Sequence, residues 1–448
     1  MGPRDNGRAR QAQRHLLRRW SAVAAMAFRS HLLGTLVPRF YSLFRSTTFT
    51  ALLGSLCPLV LLAAQAKPVK PAPVDFRAHA LAILKTVPLI DGHNDIPSQI
   101  KDRGGIDSID FLVNQPKLMT DIPRLRAGHV GAQFWSAYVP STTMHEGMHP
   151  AVYAMEQIDR VYQLCHKYSQ VFAMAYTAAD IDRNFKAGKI SCLIGIEGGH
   201  AIESSLGTLR MFYRLGARYM TLTHWETTDW ADAATDSAKH GGLTPFGEQV
   251  VLEMNRLGML VDLSHVSDGT MLSALRVSQA PVFYSHSSAR ALDGHVRNVP
   301  DSILKLVAAN GGVVMVNFAP DFVSEERRLY VNAHQARYDS LKKAGMDSTA
   351  LADSAKQWQD AAPKATLKQV ADHIQHIRDV AGIDHVGLGS DFDGIDSAPV
   401  GLEDVSKYPD LLAELLRRGW TEADVKKVAG LNALRVLRAV EAVAAKMR

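Results

Sequence analysis

Hydrophobic and polar positions follow two alternating patterns from residue 88 onward. Short apolar runs are separated by longer segments whose apolar residues recur at i, i+3 and i+4. The runs are typical of buried parallel strands, and the longer segments are typical of helices that cover such a sheet. We count eight runs, at 88–93, 131–139, 191–197, 218–224, 259–265, 281–286, 311–318 and 385–391. Eight strand–helix units predict an α/β fold, a (β/α)8 barrel of the TIM type.

A charged stretch at 325–364 separates the seventh run from the eighth and is longer than a connection of this kind requires. Its leucines and tyrosines have helical spacing, which predicts a helical insertion between strands seven and eight. One interpretation is a solvated helical excursion. The alternatives are a lid over the site and a contact between two copies of the chain.

The net charge of +5 is concentrated at the N-terminus. Residues 1–66 contain nine arginines, no lysine and a single acidic residue, a net charge of +8, so the remaining residues carry −3. The body of the protein therefore has no excess positive charge that would attract a phosphate backbone, and we expect no nucleic-acid partner.

The N-terminal segment has the features of a secretory signal. Arginines precede a mostly apolar stretch at 47–66, which ends in the small-x-small pattern Ala64-Gln65-Ala66. We therefore predict a leader at 1–66, a linker at 67–84 and a single barrel domain at 85–448, exported to the periplasm or the extracellular space. Two alternatives remain open: translation starting at Met26, and an uncleaved leader that tethers the protein to a membrane.

Three cysteines occur in the chain, and Cys57 lies in the leader. The other two, Cys165 and Cys192, do not make a disulfide scaffold. Cys192 lies in an apolar run, which favours a small buried core residue over a functional thiol.

Six of the eight runs end in side chains that can bind a metal or carry a proton. These side chains are His93 with Asp95, Glu197, His224, His265, His286 and Asp391. Active sites of such barrels lie at the carboxyl ends of the strands, so we expect these residues to meet. A buried carboxylate such as Glu197 requires a partner, and a divalent metal ion would supply one.

Imidazole and carboxylate ligands without thiolate suit Zn²⁺ best, with Mn²⁺, Co²⁺ or Fe²⁺ as substitutes. Two ions would account for more of these residues than one ion would, because a carboxylate can bridge them. We predict that Glu197, in the third run, is this bridge.

Several longer motifs carry a resemblance to a known family. They are LIDGHNDIP (89–97), IGIEGGH (194–200), VDLSHVS (261–267), SHSSARAL (285–292) and GSDFDG (389–394). Over roughly residues 85–440 the chain resembles the membrane (renal) dipeptidases, a family of zinc peptidases with an amidohydrolase-like barrel. The resemblance implies two zinc ions, the first bound by His93 and Asp95 and the second by His265 and His286, with Glu197 bridging them.

The resemblance also implies the roles of three further residues. His224 and Arg297 would bind the substrate, and Asp391 would contact the substrate and act in catalysis. We therefore predict an exported zinc dipeptidase in which a metal-bridging hydroxide attacks the peptide carbonyl. His224 would stabilise the oxyanion, Asp391 would transfer the proton to the leaving amine, and Arg297 would hold the substrate carboxylate.

Two alternatives to this function remain open. One is another dinuclear amidohydrolase activity, such as hydrolysis of a lactam or an N-acyl amino acid. The other is a catalytically silent binding barrel, which would have no chemical need for the full set of site residues. The family resemblance suggests a homodimer, and a membrane contact is expected only if the leader is retained.

Five further residues receive secondary interpretations. Phe322 aligns with a tyrosine of the mammalian enzymes, so a hydroxyl contact is not expected there. We expect a structural role for His200 and a supporting or packing role for Asp262. Asp393 is expected to brace Asp391, and Trp225 to line the mouth of the site.

Overall fold

The computed structural model describes residues 74–145 and 147–447. A sheet of parallel strands lies at the centre of the fold of these residues. The strands are β1 (Leu89–Asn94), β2 (Val130–Tyr138), β3 (Phe172–Met174), β4 (Ile190–Glu197), β5 (Ala217–Thr221), β6 (Leu260–Asp262), β7 (Phe283–Tyr284), β8 (Val313–Val316) and β9 (Val386–Leu388). Their order is β2-β1-β9-β8-β7-β6-β5-β4-β3, and β2 also pairs with β4. This pairing closes eight strands into a barrel, so the predicted (β/α)8 fold is confirmed.

The strand β3 is the one that the hydrophobic pattern does not show. It pairs with the first half of β4, where Phe172 lies opposite Ile190 and Met174 opposite Cys192. The second half of β4 pairs with β5 instead, up to Glu197 opposite Thr221. The strand β3 therefore lies outside the closed barrel, and its three residues are too few for a recognisable alternation.

Helices cover the barrel and connect its strands. Before β5 they are α1 (Phe76–Leu84), α2 (Ile96–Asp102), α3 (Ile122–Ala127), α4 (Pro150–Lys167), α5 (Ala178–Lys186) and α6 (Leu206–Arg214). After β5 they are α7 (Pro245–Leu257), α8 (Asp268–Val277), α9 (Asp301–Asn310), α10 (Pro320–Val323), α11 (Glu325–Lys343), α12 (Ser348–Ala361), α13 (Leu367–Ala381), α14 (Tyr408–Arg417), α15 (Glu422–Lys426) and α16 (Asn432–Met447). None of the helices in the described part of the chain is long and apolar enough to cross a membrane.

Local signals explain where several helices begin. Thr177 and Asp180 form a capping box at α5, and Thr366 and Gln369 form one at α13. Thr421 caps α15, since its hydroxyl accepts a hydrogen bond from the backbone of Asp424.

The insertion predicted at 325–364 is helical, as α11 and α12 show. The linker predicted at 67–84 is wrong in its second half, because α1 begins at Phe76 and packs against α14. Ala80, Ile83 and Leu84 are buried by this contact with the barrel domain, and the Asp75 side chain caps the helix. The predicted leader and residues 67–73 lie outside the described residues.

The two body cysteines form a disulfide between Cys165 and Cys192. The expected burial of Cys192 is confirmed, whereas its bond to Cys165 was not predicted. The bond joins the last turn of α4 to β4, the strand that ends in Glu197. Pairing requires the side chains to meet in space, which a sequence separation of 27 does not reveal.

Candidate active site

The predicted site residues converge at the carboxyl ends of the barrel strands. His93 lies within β1, and Glu197 is the last residue of β4. His265, His286 and Asp391 follow the ends of β6, β7 and β9 by two or three residues. All five side chains are largely or fully withdrawn from solvent.

Glu197 lies at the centre of the cluster, and its two carboxylate oxygens face different partners. Its Oε1 atom lies 2.9 Å from His265 Nε2 and 3.4 Å from His286 Nε2. Its Oε2 atom lies 3.4 Å from His93 Nε2 and accepts a hydrogen bond of 3.2 Å from Ser136. Burial alone would raise the pKa of Glu197, but the surrounding imidazoles hold it well below its usual value.

The cluster contains two groups of side chains that can bind a metal ion. One is His93, Asp95 and Glu197, and the other is Glu197, His265 and His286; within each, the ligand atoms lie within 4.8 Å of one another. In a third combination, His93 and His286 approach Asp391. The glutamate is common to the first two groups, which is the arrangement that a bridging ligand requires.

Three features of the imidazoles fit a divalent ion. His93 Nε2 is buried and makes no hydrogen bond within the described residues, although Asp95 Oδ2 lies 3.1 Å away. The Nε2 atoms of His265 and His286 point at each other over 3.0 Å. Burial lowers the pKa of both rings well below the usual value, which favours the neutral form that binds metals.

The ring nitrogens on the far side of two of these histidines are held by polar side chains. His93 Nδ1 lies 2.8 Å from the hydroxyl of Tyr219, and His286 Nδ1 lies 2.8 Å from Ser285 Oγ. Such partners fix the tautomer and orientation of a metal-binding imidazole. Tyr219 and Ser285 were not identified from the sequence, because nothing in their local pattern distinguishes them from packing residues.

Asp262 supports the site, as the sequence suggested. Its carboxylate accepts hydrogen bonds from the backbone N–H groups of Ser264 (3.1 Å) and Ser285 (2.8 Å). It also accepts from the hydroxyls of Thr221 and Ser285, the latter at 2.6 Å. Ser285 therefore connects this buried carboxylate to His286.

Asp91 makes an equivalent set of contacts on the other side of the barrel and was not identified from the sequence. It accepts hydrogen bonds from the backbone N–H and the hydroxyl of Ser390, at 2.8 and 2.7 Å. Tyr408 and Gln133 also donate to it, at 2.7 and 2.9 Å. The contacts fix Ser390, the residue that precedes Asp391. An aspartate two positions before His93 within an apolar run was the available signal.

A cavity of about 310 Å³ opens above the cluster. Tyr138, Trp225, Phe322 and Ile395 contribute aromatic and aliphatic walls. The expected place of Trp225 at the mouth is confirmed, since 43% of its surface is exposed. The polar residues that line the cavity include Asp95, Glu197, His224, His265, His286, Arg297 and Asp391.

Arg297 lies in this cavity wall as a buried cation, only 1% exposed. Its guanidinium donates to Ser287 Oγ (3.4 Å) and to the carbonyl of His286 (3.3 Å), both of which are neutral. Its Nε has no partner within residues 74–145 and 147–447. Burial lowers the pKa of Arg297 to about 10, so the group remains charged near neutral pH. A buried cation with only neutral hydrogen-bond partners favours an anionic ligand.

Asp391 and His224 border the cluster with strongly shifted pKa values. Burial raises the pKa of Asp391 to about 7, and Asn317 donates a 2.9 Å hydrogen bond to its Oδ2. Burial lowers the pKa of His224 to about 4, and its Nε2 lies 3.8 Å from Glu197 Oε1. Near neutral pH the imidazole is therefore uncharged, whereas the carboxyl can gain or lose a proton.

The expected bracing of Asp391 by Asp393 is not observed. Asp393 Oδ1 instead accepts a 2.8 Å hydrogen bond from the backbone of Met119, and Asn317 holds Asp391. His200 is buried, with its Nε2 3.2 Å from the carbonyl of Pro140, which is consistent with a structural role. Gly198, at φ +111°, makes the turn between Glu197 and His200.

The barrel and its cluster of imidazoles and carboxylates define a class of protein, the metal-dependent hydrolases built on a (β/α)8 barrel. The family model "Membrane dipeptidase (Peptidase family M19)" matches residues 77–448. The chain belongs to this membrane dipeptidase family, as its motifs suggested, and is a metal-dependent dipeptidase.

Two curated relatives show how extensive the similarity is. Dipeptidase verJ of Clonostachys rogersoniana is 41% identical over 385 residues, which cover 84% of this chain and 89% of the relative. Dipeptidase 3 of Mus musculus is 41% identical over 374 residues, which cover 82% of this chain and 67% of the relative.

Solved structures agree with the fold. The probable dipeptidase PvdM from Pseudomonas aeruginosa superimposes with a TM-score of 0.72 at 25% identity, covering 82% of this chain and 99% of that one. A metallopeptidase from Rhodobacter sphaeroides, liganded with a phosphinate mimic of the dipeptide L-Ala-D-Ala, superimposes with a TM-score of 0.65 at 25% identity. The alignment covers 79% of this chain and 99% of that one.

Proposed function

We propose that the protein hydrolyses dipeptides at a centre of two zinc ions bridged by Glu197. His93 and Asp95 would complete one site, and His265 and His286 the other. The two-sided contacts of the Glu197 carboxylate support this assignment, and the imidazole–carboxylate ligand set without thiolate suits zinc. Bound ions supply a nucleophile from water near neutral pH and polarise the carbonyl of the peptide bond.

The protein's own side chains provide the proton transfer. Asp391, whose Oδ2 accepts a 2.9 Å hydrogen bond from Asn317, accepts the proton of the attacking water and delivers it to the leaving amine. His224 is neutral and lies beside Glu197, so it donates an N–H hydrogen bond to the oxyanion that develops on the carbonyl.

Arg297 provides the observation on which the substrate assignment rests. Its guanidinium is buried at the cavity wall and bonded only to neutral oxygens. A carboxylate one residue beyond the peptide bond would pair with this group, which offers a fork of N–H donors. The terminal carboxylate of a dipeptide meets this requirement, and a longer peptide would place an uncharged amide there.

A substrate panel tests this assignment. Wild-type protein loaded with zinc should hydrolyse a dipeptide at least 100-fold more efficiently than the matching tripeptide or the dipeptide amide. Arg297→Ala should lower kcat/KM for the dipeptide by at least 100-fold, a loss of about 3 kcal/mol. Arg276→Ala, which removes an exposed arginine paired with Glu248, is the control and should behave as wild type.

Efficient cleavage of the tripeptide, or full activity of Arg297→Ala on dipeptides, would contradict the proposed role of the arginine. Faster cleavage of an N-acyl amino acid or a lactam than of any dipeptide would instead indicate a different amidohydrolase activity.

We also propose that the mature protein is exported. Two observations support export: the arginine-rich, apolar leader at 1–66, and the Cys165–Cys192 disulfide, a bond typical of oxidising compartments. Expression of the full chain in a bacterial host, followed by N-terminal sequencing of the periplasmic fraction, should give a start near Lys67. Protein recovered only in the cytosol with its leader would contradict export, and leader-bearing protein in the membrane fraction would show a retained tether.

A further inference from the structure

The loop at 290–298 carries Arg297 and packs against Phe322, which lies in α10. Within the loop, the backbone N–H of Arg297 donates to His295 Nδ1 at 3.1 Å. The ring of His295 lies 4.3 Å from the ring of Phe322, and the guanidinium of Arg297 lies 5.4 Å from that same ring. Asn298 Nδ2 donates 2.9 Å hydrogen bonds to the carbonyls of Asp293 and Phe322. The position of Arg297 therefore depends on how this loop is held.

The first turn of α11, where the helical insertion begins, holds the loop from outside. Glu325 Oε2 accepts a 2.8 Å hydrogen bond from the backbone N–H of Gly294. Arg328 Nε lies 3.1 Å from Asp293 Oδ1. Glu325 and Arg328 also pair with each other, at 2.6 and 3.0 Å. Glu325 and Arg328, one helical turn apart, thus bind two consecutive residues of the loop.

Asp293 is the buried member of this contact. Its side chain is fully shielded from solvent, and Arg328 is 16% exposed. Besides Arg328, Asp293 Oδ1 accepts a 2.9 Å hydrogen bond from the backbone of His295. Its Oδ2 has no hydrogen-bond partner within the described residues. Loss of Arg328 would leave a buried carboxylate without its cation, a costly arrangement that favours movement of the loop toward water.

We propose that Arg328 and Glu325 are positioning residues that hold the 290–298 loop so that Arg297 meets the carboxylate of the substrate. This inference rests on the proposed dipeptidase function and assigns a task to the start of the insertion. The contact runs from Arg328 through Asp293 to His295 and then to the backbone of Arg297. A displacement of about 1 Å is enough to weaken an oriented interaction by up to about 100-fold.

The test compares ligands with and without the carboxylate in zinc-loaded full-length protein. Arg328→Ala should raise KM for a dipeptide about tenfold, with kcat within about twofold of wild type. The apparent dissociation constant of the matching dipeptide amide should stay unchanged, because the amide does not pair with Arg297. Arg328→Lys keeps the cation and should recover part of the affinity. Lys356→Ala, which removes the exposed Lys356–Asp360 pair of the insertion, is the control.

A double variant, Asp293→Asn/Arg328→Ala, removes the Asp293 charge together with its cation and covers the case in which Arg328→Ala alone does not fold. The double variant lacks the Asp293–Arg328 ion pair and should show the same raised KM for the dipeptide. An unchanged KM in either variant, or an equal loss of affinity for the dipeptide and its amide, would overturn the inference. Absence of dipeptide turnover in the wild type would instead contradict the proposed function, and thermal shifts with dipeptide and amide would then measure the selectivity directly.

Discussion

At the scale of single residues, the site depends on side chains that never face the cavity. Ser285 accepts the Nδ1–H of His286 and donates its own proton to Asp262, so the ring turns its Nε2 lone pair toward Glu197. Tyr219 occupies the corresponding place beside His93. These contacts fix the direction of the Nε2 lone pair of each imidazole.

We expect Ser285→Ala to weaken the retention of metal by about 10- to 100-fold, since partners of this kind have effects of that size on metal-binding histidines. The measurement is zinc content during competition with a chelator, which does not depend on turnover. Ser340→Ala removes an exposed serine hydroxyl of the insertion and is the control. Equal zinc retention by Ser285→Ala and wild type would show that Ser285 does not orient the ligand.

The residues that face the cluster could be predicted from the sequence, whereas their supports could not. His93, Glu197 and His286 are visible because each terminates or closely follows an apolar run. Ser285 and Asn317 act through contacts between different strands or loops, and no local pattern reports which residues a strand will meet. Asp393 is adjacent to the site in sequence, yet its side chain turns to Met119.

At the scale of secondary-structure elements, close packing inside the barrel places Tyr219. A Cβ atom at Gly195 would overlap the ring of Tyr219. Because the glycine has no side chain, the tyrosine on β5 can pack its ring directly against the backbone of β4. The ring then brings its hydroxyl to His93. A glycine in the middle of β4 therefore determines the orientation of His93 on β1.

Gly195→Ala should destabilise the fold by about 1–3 kcal/mol through overpacking and should also weaken metal retention. Gly207→Ala, in α6, is a matched control because its Cβ would meet only the Ser205 hydroxyl at 3.3 Å and the end of Arg210 at 4.0 Å. It should stay within about 1 kcal/mol of wild type. Chemical denaturation measures both variants, and equal midpoints would contradict this account of the packing.

The helix α13 contributes a histidine whose neutral form is built into the fold. His373 Nδ1 accepts a 3.0 Å hydrogen bond from the backbone of Ala289, and Nε2 donates to the carbonyl of Val323 at 3.1 Å. Burial lowers its pKa to about 4 from the usual 6.5. As the pH falls below 6.5, His373 binds a proton in the unfolded chain but not in the folded protein. The free energy of unfolding is therefore unaffected by the protonation of His373 above pH 6.5 and decreases as the pH falls from 6.5 toward 4.

The expected size of the loss is up to about 3 kcal/mol at pH 4, from the difference between the two pKa values. Urea unfolding between pH 7.5 and 4 should show a steeper decline for the wild type than for His373→Gln, which has no group that titrates there. Parallel declines in the two proteins would mean that His373 is not responsible.

At the scale of the whole molecule, the number of barrel strands and the class of fold followed from the hydrophobic pattern, but several long-range features did not. The strand β3 has only three residues, and α1 closely follows the stretch 67–73, whose three prolines are typical of a linker. The pairing of Cys165 with Cys192 depends on the approach of α4 to β4. The homodimer suggested by the resemblance stays a prediction, which the molar mass of the purified protein in solution tests.

The disulfide should contribute about 3 kcal/mol to stability, because it closes a loop between residues 27 positions apart in the unfolded chain. Addition of a reductant should lower the urea midpoint of the wild type by a corresponding amount. The double variant Cys165→Ala/Cys192→Ala should show no dependence on reductant. A reductant-independent midpoint in the wild type would contradict a structural bond at this position.

Titration of metal-free protein with Zn²⁺, with hydrolysis of a dipeptide followed at each addition, tests the central claim most directly. The arrangement of His93, Asp95, His265 and His286 around Glu197 predicts that activity rises to a plateau at about two equivalents per chain. Glu197→Gln should bind less metal and show no activity at any equivalent. A plateau at one equivalent, or no dipeptide hydrolysis with zinc in excess, would contradict a two-zinc dipeptidase.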